Sequence, residues 1–186
     1  MPSTTSHAEA VAPGRTLWQE DIVTSSTARA VLAVSRIAIG FYFLWACIDK
    51  VFGFTFTTRP EQALINGGTP AQGYINNVAA NGPLGDFFQI FANPFGDYAF
   101  LIGLFAIGVA LIAGAGLKIA AIAATVLLGL MYLAAPPWYG QHGANPILDA
   151  HILDMFLVIL PAVTLAGDTW GLGRWWGGKV GNGILR

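Results

Sequence analysis

The stretch YAFLIGLFAIGVALIAGAGLKIAAIAATVLLGLMYLAAPPW, residues 98–138, carries a single charged side chain, Lys118, along its whole length. Crossing a hydrocarbon core of ~30 Å takes about 20 helical residues. The stretch therefore reads as two spans, Tyr98–Leu117 and Ile119–Trp138, or as one continuous helix of twice that length. Gly114, Gly116 and Lys118 favour a tight hairpin, because glycine ends helices in the left-handed conformation and lysine suits a cytoplasmic turn. Pro136-Pro137 stops the second of the two helices.

Two further apolar stretches flank this pair. One runs from Ala30 to Phe52 and the other from Ile147 to Ala166, the latter opened by Asn145-Pro146, a cap followed by a first-turn proline. The expected fold is an all-α, four-helix transmembrane bundle over residues 30–167, with a polar N-terminal segment 1–29, a loop 53–97 and a C-terminal tail 168–186. Composition agrees. Of 186 residues, 55% are hydrophobic and 10% charged, with a mean hydropathy of +0.60. A soluble domain carries about 25% charged residues, so this chain lacks the polar side chains to cover a water-facing surface. A net charge of −1 gives no footprint for nucleic acid. The single cysteine, Cys47, excludes an intrachain disulfide. Residues 1–29 lack a basic stretch leading into a hydrophobic core, so no cleaved signal peptide is expected, and Leu44-Trp45-Ala46-Cys47 is a poor lipidation box.

Charge sets the orientation. Arg15, Arg29, Arg36, Lys118, Arg174, Lys179 and Arg186 lie at or nearest to the N-terminus, the turn at Lys118 and the C-terminus. The connection Gly53–Asp97 has only Arg59 against Glu61, Asp86 and Asp97, and the connection around His142 has no Lys or Arg. The positive-inside rule then places both termini in the cytoplasm of a bacterial cell and the long loop outside the inner membrane. Within that loop Tyr74-Ile75 and Phe87–Phe91 read as a short interfacial helix over the outer end of the bundle, either a plain seal or a gate.

Ionisable groups inside a membrane are functional candidates because burying them is expensive. Here they are Arg36, Asp49, Lys50, Asp149, His151 and Asp154. Lys50 and the pair Asp149 and His151 fall at similar depth and meet if the first and fourth helices are neighbours. His151 and Asp154 share a helix face, which suits proton exchange, whereas Asp149 points about 200° away from His151. A charge cluster that only fixes helix register is the competing reading, and Arg36 also suits a snorkelling anchor. Haem is not expected, since facing histidines are missing. A metal is not expected either, the loose set of His142, Asp149 and His151 being a weak one. No phosphate loop or nucleophile elbow is present.

Three patterns carry a resemblance: Arg36-x(3)-Gly40-x(9)-Lys50, Gly103-x(4)-Gly108-x(5)-Gly114-x-Gly116, and above all Asn145-Pro146-Ile147-Leu148-Asp149-Ala150-His151. From about Arg36 to Ala166 the chain resembles the DoxX/DoxD family of small four-helix membrane proteins. The resemblance implies a membrane subunit of a redox system, like the DoxD subunit of thiosulfate:quinone oxidoreductase. It would pass electrons to a quinone and work beside a partner subunit within the lipid. It makes Lys50, Asp149 and His151 candidates for binding an anion or a quinone headgroup; Arg59 joins them as a second external cation, and Asp154 follows from helix spacing. His151 and Asp154 are then the proton-exchanging pair, with Arg36 and Asp49 as candidate cofactor contacts. A non-catalytic accessory subunit packed against a larger respiratory or redox complex is the alternative. A transporter finds no support, as no inverted repeat is visible.

Overall fold

The computed structural model describes residues 15–139 and 145–186, which leaves His142 outside the described residues. Among these the chain is all helical, with no strand. The α-helices are α1 (Gln19–Ile22), α2 (Ser26–Phe52), α3 (Pro70–Asn77), α4 (Gly85–Gln89), α5 (Pro94–Ala113), α6 (Leu117–Ala134), α7 (Ala150–Val163) and α8 (Gly173–Val180). Three of them, α2, α5 and α6, are long and apolar enough to cross a membrane, each with a mean hydropathy of 2.0. At most 39% of any of these spans is buried. Their outer faces nevertheless present Val34, Phe41, Ile102, Phe105, Ile122 and Val126. A surface that stays apolar where it is exposed is suited to lipid rather than water.

Local chemistry sets the helix ends. Ser25 caps α2 by accepting from the Ala28 amide, and Gly53 closes it at φ 73°. Asn93 caps α5, with Pro94 as its first residue, so residues 94–97 of the expected loop are helical. Gly114 (φ 73°) ends α5 and Gly116 (φ 68°) precedes α6, which makes the tight hairpin read from the sequence. α6 stops at Ala134, earlier than Trp138, because residue 135 precedes Pro136 and is driven out of the helical region.

The largest departure is at the fourth apolar stretch. Asn145 does not open a helix; its side-chain oxygen accepts from the amides of Ile147 and Leu148, both at 2.9 Å, and folds a turn of its own. Asp149 is the cap instead, accepting from the Ile152 amide at 3.2 Å. Helix α7 is consequently 14 residues long and begins at Ala150.

α2 packs on α5 and α7, and α6 packs on the same two, so the four form a closed ring. Ile39, Phe43, Leu104, Leu111, Leu128 and Val158 lie in the shared core. Cys47 is buried there as a free thiol. The α2–α5 seam closes over glycine: a Cβ on Gly108 would lie 2.8 Å from the Leu44 amide nitrogen and 3.0 Å from the Gly40 carbonyl. Those neighbours are backbone and cannot yield. Gly108→Ala is expected to destabilise the bundle by about 1–3 kcal/mol, since overpacking must separate the helices. Gly103→Ala, whose Cβ would meet nothing within 4 Å, gains the same helix propensity and serves as the reference. Equal melting temperatures for the two variants in detergent would remove the close-approach argument.

The ring has two unlike ends. At one, the Lys118 amine donates to the carbonyls of Asn182 (2.7 Å) and Gly183 (3.1 Å), and the Gln19 amide donates to Asp168 at 2.9 Å. Buried Arg186 binds both oxygens of Asp168 and the Leu17 carbonyl. The start of the described chain, the α5–α6 turn and the C-terminal segment therefore share this end. At the other end α3 and α4 roof the bundle, with Ile75, Ala79 and Phe88 packed on Ala134 of α6. The roof contains two short helices where the sequence suggested one.

Candidate functional site at the roofed end

α2 ends with Asp49 and Lys50, and the two do different things. Asp49 is 1% exposed. It accepts from the amides of Phe56 (3.3 Å), Thr57 (2.8 Å) and Thr58 (2.9 Å) and from the Thr57 hydroxyl (2.8 Å). Four donors converge on one carboxylate, so Asp49 folds residues 53–58 back over the helix end. The turn it holds includes Thr55 at φ 69°, a left-handed conformation that a β-branched residue adopts only under constraint. As a candidate cofactor contact Asp49 is therefore already occupied by the protein itself.

Lys50 is turned elsewhere. Its ammonium donates to the Thr57 hydroxyl at 3.4 Å and stands 6.0 Å from the centre of the Phe100 ring. Among the described residues it forms no ion pair. Beside it lies a cavity of about 340 Å³ between α5, α6 and the roof. Its wall is made by the roof (Tyr74, Ile75, Phe88), by the first turns of α5 (Phe95, Phe100) and by the end of α6 (Leu130), among others. Lys50 is the single charged residue in that lining. Arg59 is exposed in the turn that packs over Gly53 and does not line the cavity.

Asp149 and His151 form a close pair: His151 Nδ1 is 2.6 Å from Asp149 Oδ2. This corrects the helical-wheel expectation. Asp149 is the N-cap, with φ −121° and ψ −176°, so its carboxylate folds back over the first turn instead of projecting from a helical position. His151 consequently pairs with Asp149, and Asp154 on the next turn accepts no hydrogen bond among the described residues. The pair is partly accessible, with side-chain exposures of 27% and 22%. Neither Asp149, His151 nor Asp154 lines the cavity, and none forms an ion pair with Lys50. Tyr74 relates the two regions: burial first, then the negative Asp149, hold its phenol above the ordinary range. The Tyr132 hydroxyl, donating to the Ile147 carbonyl at 2.6 Å, fixes the lead-in to α7.

Arg36 lies at the opposite end, fully buried. Its guanidinium donates to the carbonyls of Leu111, Ile112 (2.8 Å), Thr169 (3.3 Å) and Trp170 (3.1 Å). The first two are carbonyls at the end of α5, where a helix leaves acceptors without partners. Arg36 thus ties α5 to the C-terminal segment, in a place remote from Lys50 and the cavity.

One residue outside the expected set shapes the site. Asp97 in the first turn of α5 is 2% exposed and accepts from the Ala71 amide (2.8 Å), the Gln72 amide (3.2 Å) and the Gln72 side chain (2.5 Å). It supplies the start of α3 with the acceptor that Thr69, its own N-cap, does not. The only hint in the sequence is Pro70, which suits a first helical turn and leaves the cap open. Among the described residues no three His, Cys, Asp or Glu side chains gather as a metal site would need. Searches with the whole chain match no protein-family profile, no curated protein and no solved structure.

Proposed function

We propose that the chain is a four-crossing subunit of a redox system in the bacterial inner membrane, with both termini cytoplasmic, and that it resembles the DoxD-type subunit of thiosulfate:quinone oxidoreductase. In this reading α7 is the fourth crossing. In the coupled reaction two thiosulfate anions join through a new S–S bond to tetrathionate and release two electrons; one quinone takes those electrons and two protons to become quinol. A partner subunit contributes to the sulfur chemistry, and this chain's residues serve the quinone. The supporting observation is the Asp149–His151 pair at the outer end of α7, 2.6 Å apart, one turn from Asp154 and on a helix packed against α2. Asp149 orients the imidazole through Nδ1 and leaves Nε2 to exchange a proton with a ring between α2 and α7. Exposed Arg59 attracts anions to the outer mouth.

His151→Gln keeps a hydrogen-bonding side chain but cannot titrate, and is expected to lower quinone-linked turnover at least about a hundredfold, the usual contribution of a general acid–base group. Its melting temperature should match that of the unaltered protein. Full turnover in a folded His151→Gln protein would end the proposal. A second reading is favoured by Asp154, which makes no hydrogen bond or ion pair among the described residues and stands beside exposed Leu153, Phe156 and Leu157 on α7. A helix from a larger respiratory complex could supply its donor, making this chain an accessory subunit. Stoichiometric recovery with cytochrome subunits, and no turnover in isolation, would select that reading over the first.

A further inference from the structure

The cavity beside Lys50 is separate from the groups that would exchange protons with a quinone, and its chemistry asks for a different ligand. Its volume of about 340 Å³ lies within the range of small-molecule sites. The wall is rich in Phe, Leu, Ile and Ala, with polar character from the Lys50 ammonium and the Tyr74 phenol. A cation at the edge of an apolar space is costly unless an anion meets it. The nearest carboxylate in sequence, Asp49, is engaged with Phe56, Thr57 and Thr58. Lys50 itself has a 3.4 Å hydroxyl contact and no ion pair among the described residues.

Two ligand classes fit this wall poorly. A small hydrated oxyanion such as thiosulfate would exchange its water shell for one ammonium and one phenol, with phenylalanine around the rest. A neutral quinone would gain from the apolar wall, but Asp149, His151 and Asp154 do not reach it. An anion with an apolar body satisfies both features, and each methylene placed against the wall contributes about 0.8 kcal/mol. Phe91 and Phe95 are exposed and line the cavity, so a chain can pass between them from the lipid side.

We propose that this cavity binds a single-chain anionic amphiphile, its carboxylate or phosphate on Lys50 and its chain between α5, α6 and the roof. The assignment rests on the cavity and Lys50, and is independent of the redox reading. The test is photo-cross-linking of the full chain in zwitterionic nanodiscs, with hexadecanoic acid carrying a mid-chain diazirine and with the matching alcohol as neutral comparator. The acid is expected to label peptides within residues 71–134 in a saturable manner, and the alcohol about tenfold less. Lys50→Met should reduce labelling by about tenfold, Lys50→Arg should keep it, and excess dodecyl phosphate should compete. Ala99→Trp, which fills the cavity from an exposed position and leaves Lys50 intact, should also abolish labelling, so a poorly folding Lys50→Met protein does not leave the matter open. Equal labelling by acid and alcohol, labelling spread over the lipid-facing surface, or suppression by thiosulfate would overturn the proposal. His151→Gln should leave labelling unchanged, which separates a failure here from a failure of the quinone reading.

Discussion

Arg36→Met is expected to lower the stability of the folded bundle by about 3 kcal/mol, summed over buried acceptors left unpaired at roughly 1–3 kcal/mol each. The guanidinium serves four carbonyls from two distant parts of the chain: Leu111 and Ile112 at the end of α5, and Thr169 and Trp170 before α8. Two effects oppose each other. Methionine removes a buried charge whose Nε has no partner, which favours the variant. It also strands those carbonyls and frees Trp170, a residue held at φ 53°. Four lost charge-assisted bonds outweigh one unmet donor, so the net sign is destabilising. Arg36→Lys keeps the charge but cannot bridge both segments at once, and should fall between the two. Unfolding in graded SDS reports the difference. A midpoint for Arg36→Met within about 0.5 kcal/mol of the unaltered protein, the range of ordinary surface changes, would show that water reaches these carbonyls and that the clamp is dispensable.

Asp49→Ala is expected to release residues 54–58 from the end of α2, with a loss of about 3 kcal/mol because hydrogen bonds to a charged acceptor contribute roughly 1.5–3 kcal/mol each and are only partly replaced by water. Asp49→Asn separates charge from geometry. One amide oxygen can still serve the cluster at Oδ2 (Thr57 amide, Thr57 hydroxyl, Thr58 amide), whereas the Phe56 amide then faces an NH2 group. The asparagine variant should therefore lose roughly half as much as the alanine one, about 1–2 kcal/mol. Hydrogen exchange gives the local readout: the amides of Thr57 and Thr58 should exchange freely in Asp49→Ala and remain partly protected in Asp49→Asn. Protection that survives in Asp49→Ala would mean that the turn is held by the packing of Pro60 and Ala63 over Gly53 instead.

What was legible in the sequence, and what was not, divides along the length scale of the interactions. Gly114, Gly116 and Lys118 announced a hairpin because a helix end is a local event, read from residues within one turn. Gly40 and Gly108 stood in the sequence only as parts of the resemblance patterns; that they form the α2–α5 seam depends on which helices meet, which no local signal gives. Charge asymmetry placed the N-terminal segment, the Lys118 turn and the C-terminal segment together, and they do meet through Gln19, Asp168, Lys118 and Arg186. Asp149 was misjudged because Asn145-Pro146 and Asp149 both resemble starts, and periodicity cannot say which one the chain uses. Asp97 and Arg36 were out of reach for a different reason. Asp97 finds its partners 25 and 26 residues away, and Arg36 up to 134 residues away. The cavity was equally hidden, since its wall is assembled from five helices and the turn at Phe91.

The brevity of α7 has a bearing on the bilayer itself. Fourteen residues at ~1.5 Å each extend about 21 Å, some 9 Å short of a hydrocarbon core of ~30 Å. Its neighbours α2 and α6, with 27 and 18 residues, reach or nearly match that thickness. The lead-in from Asn145 to Asp149 is irregular, and its backbone groups cannot be left in lipid without partners. If α7 is the fourth crossing proposed above, the membrane around it would have to pinch, drawing headgroups and their water down toward the helix start. Under that proposal His151 and Asp154 would sit beneath a local dimple, closer to the aqueous phase than residues at the same height on a full-length crossing. A hydrophobic mismatch confined to one corner of the ring would give protons a short path to this face while the rest of the bundle stays sealed.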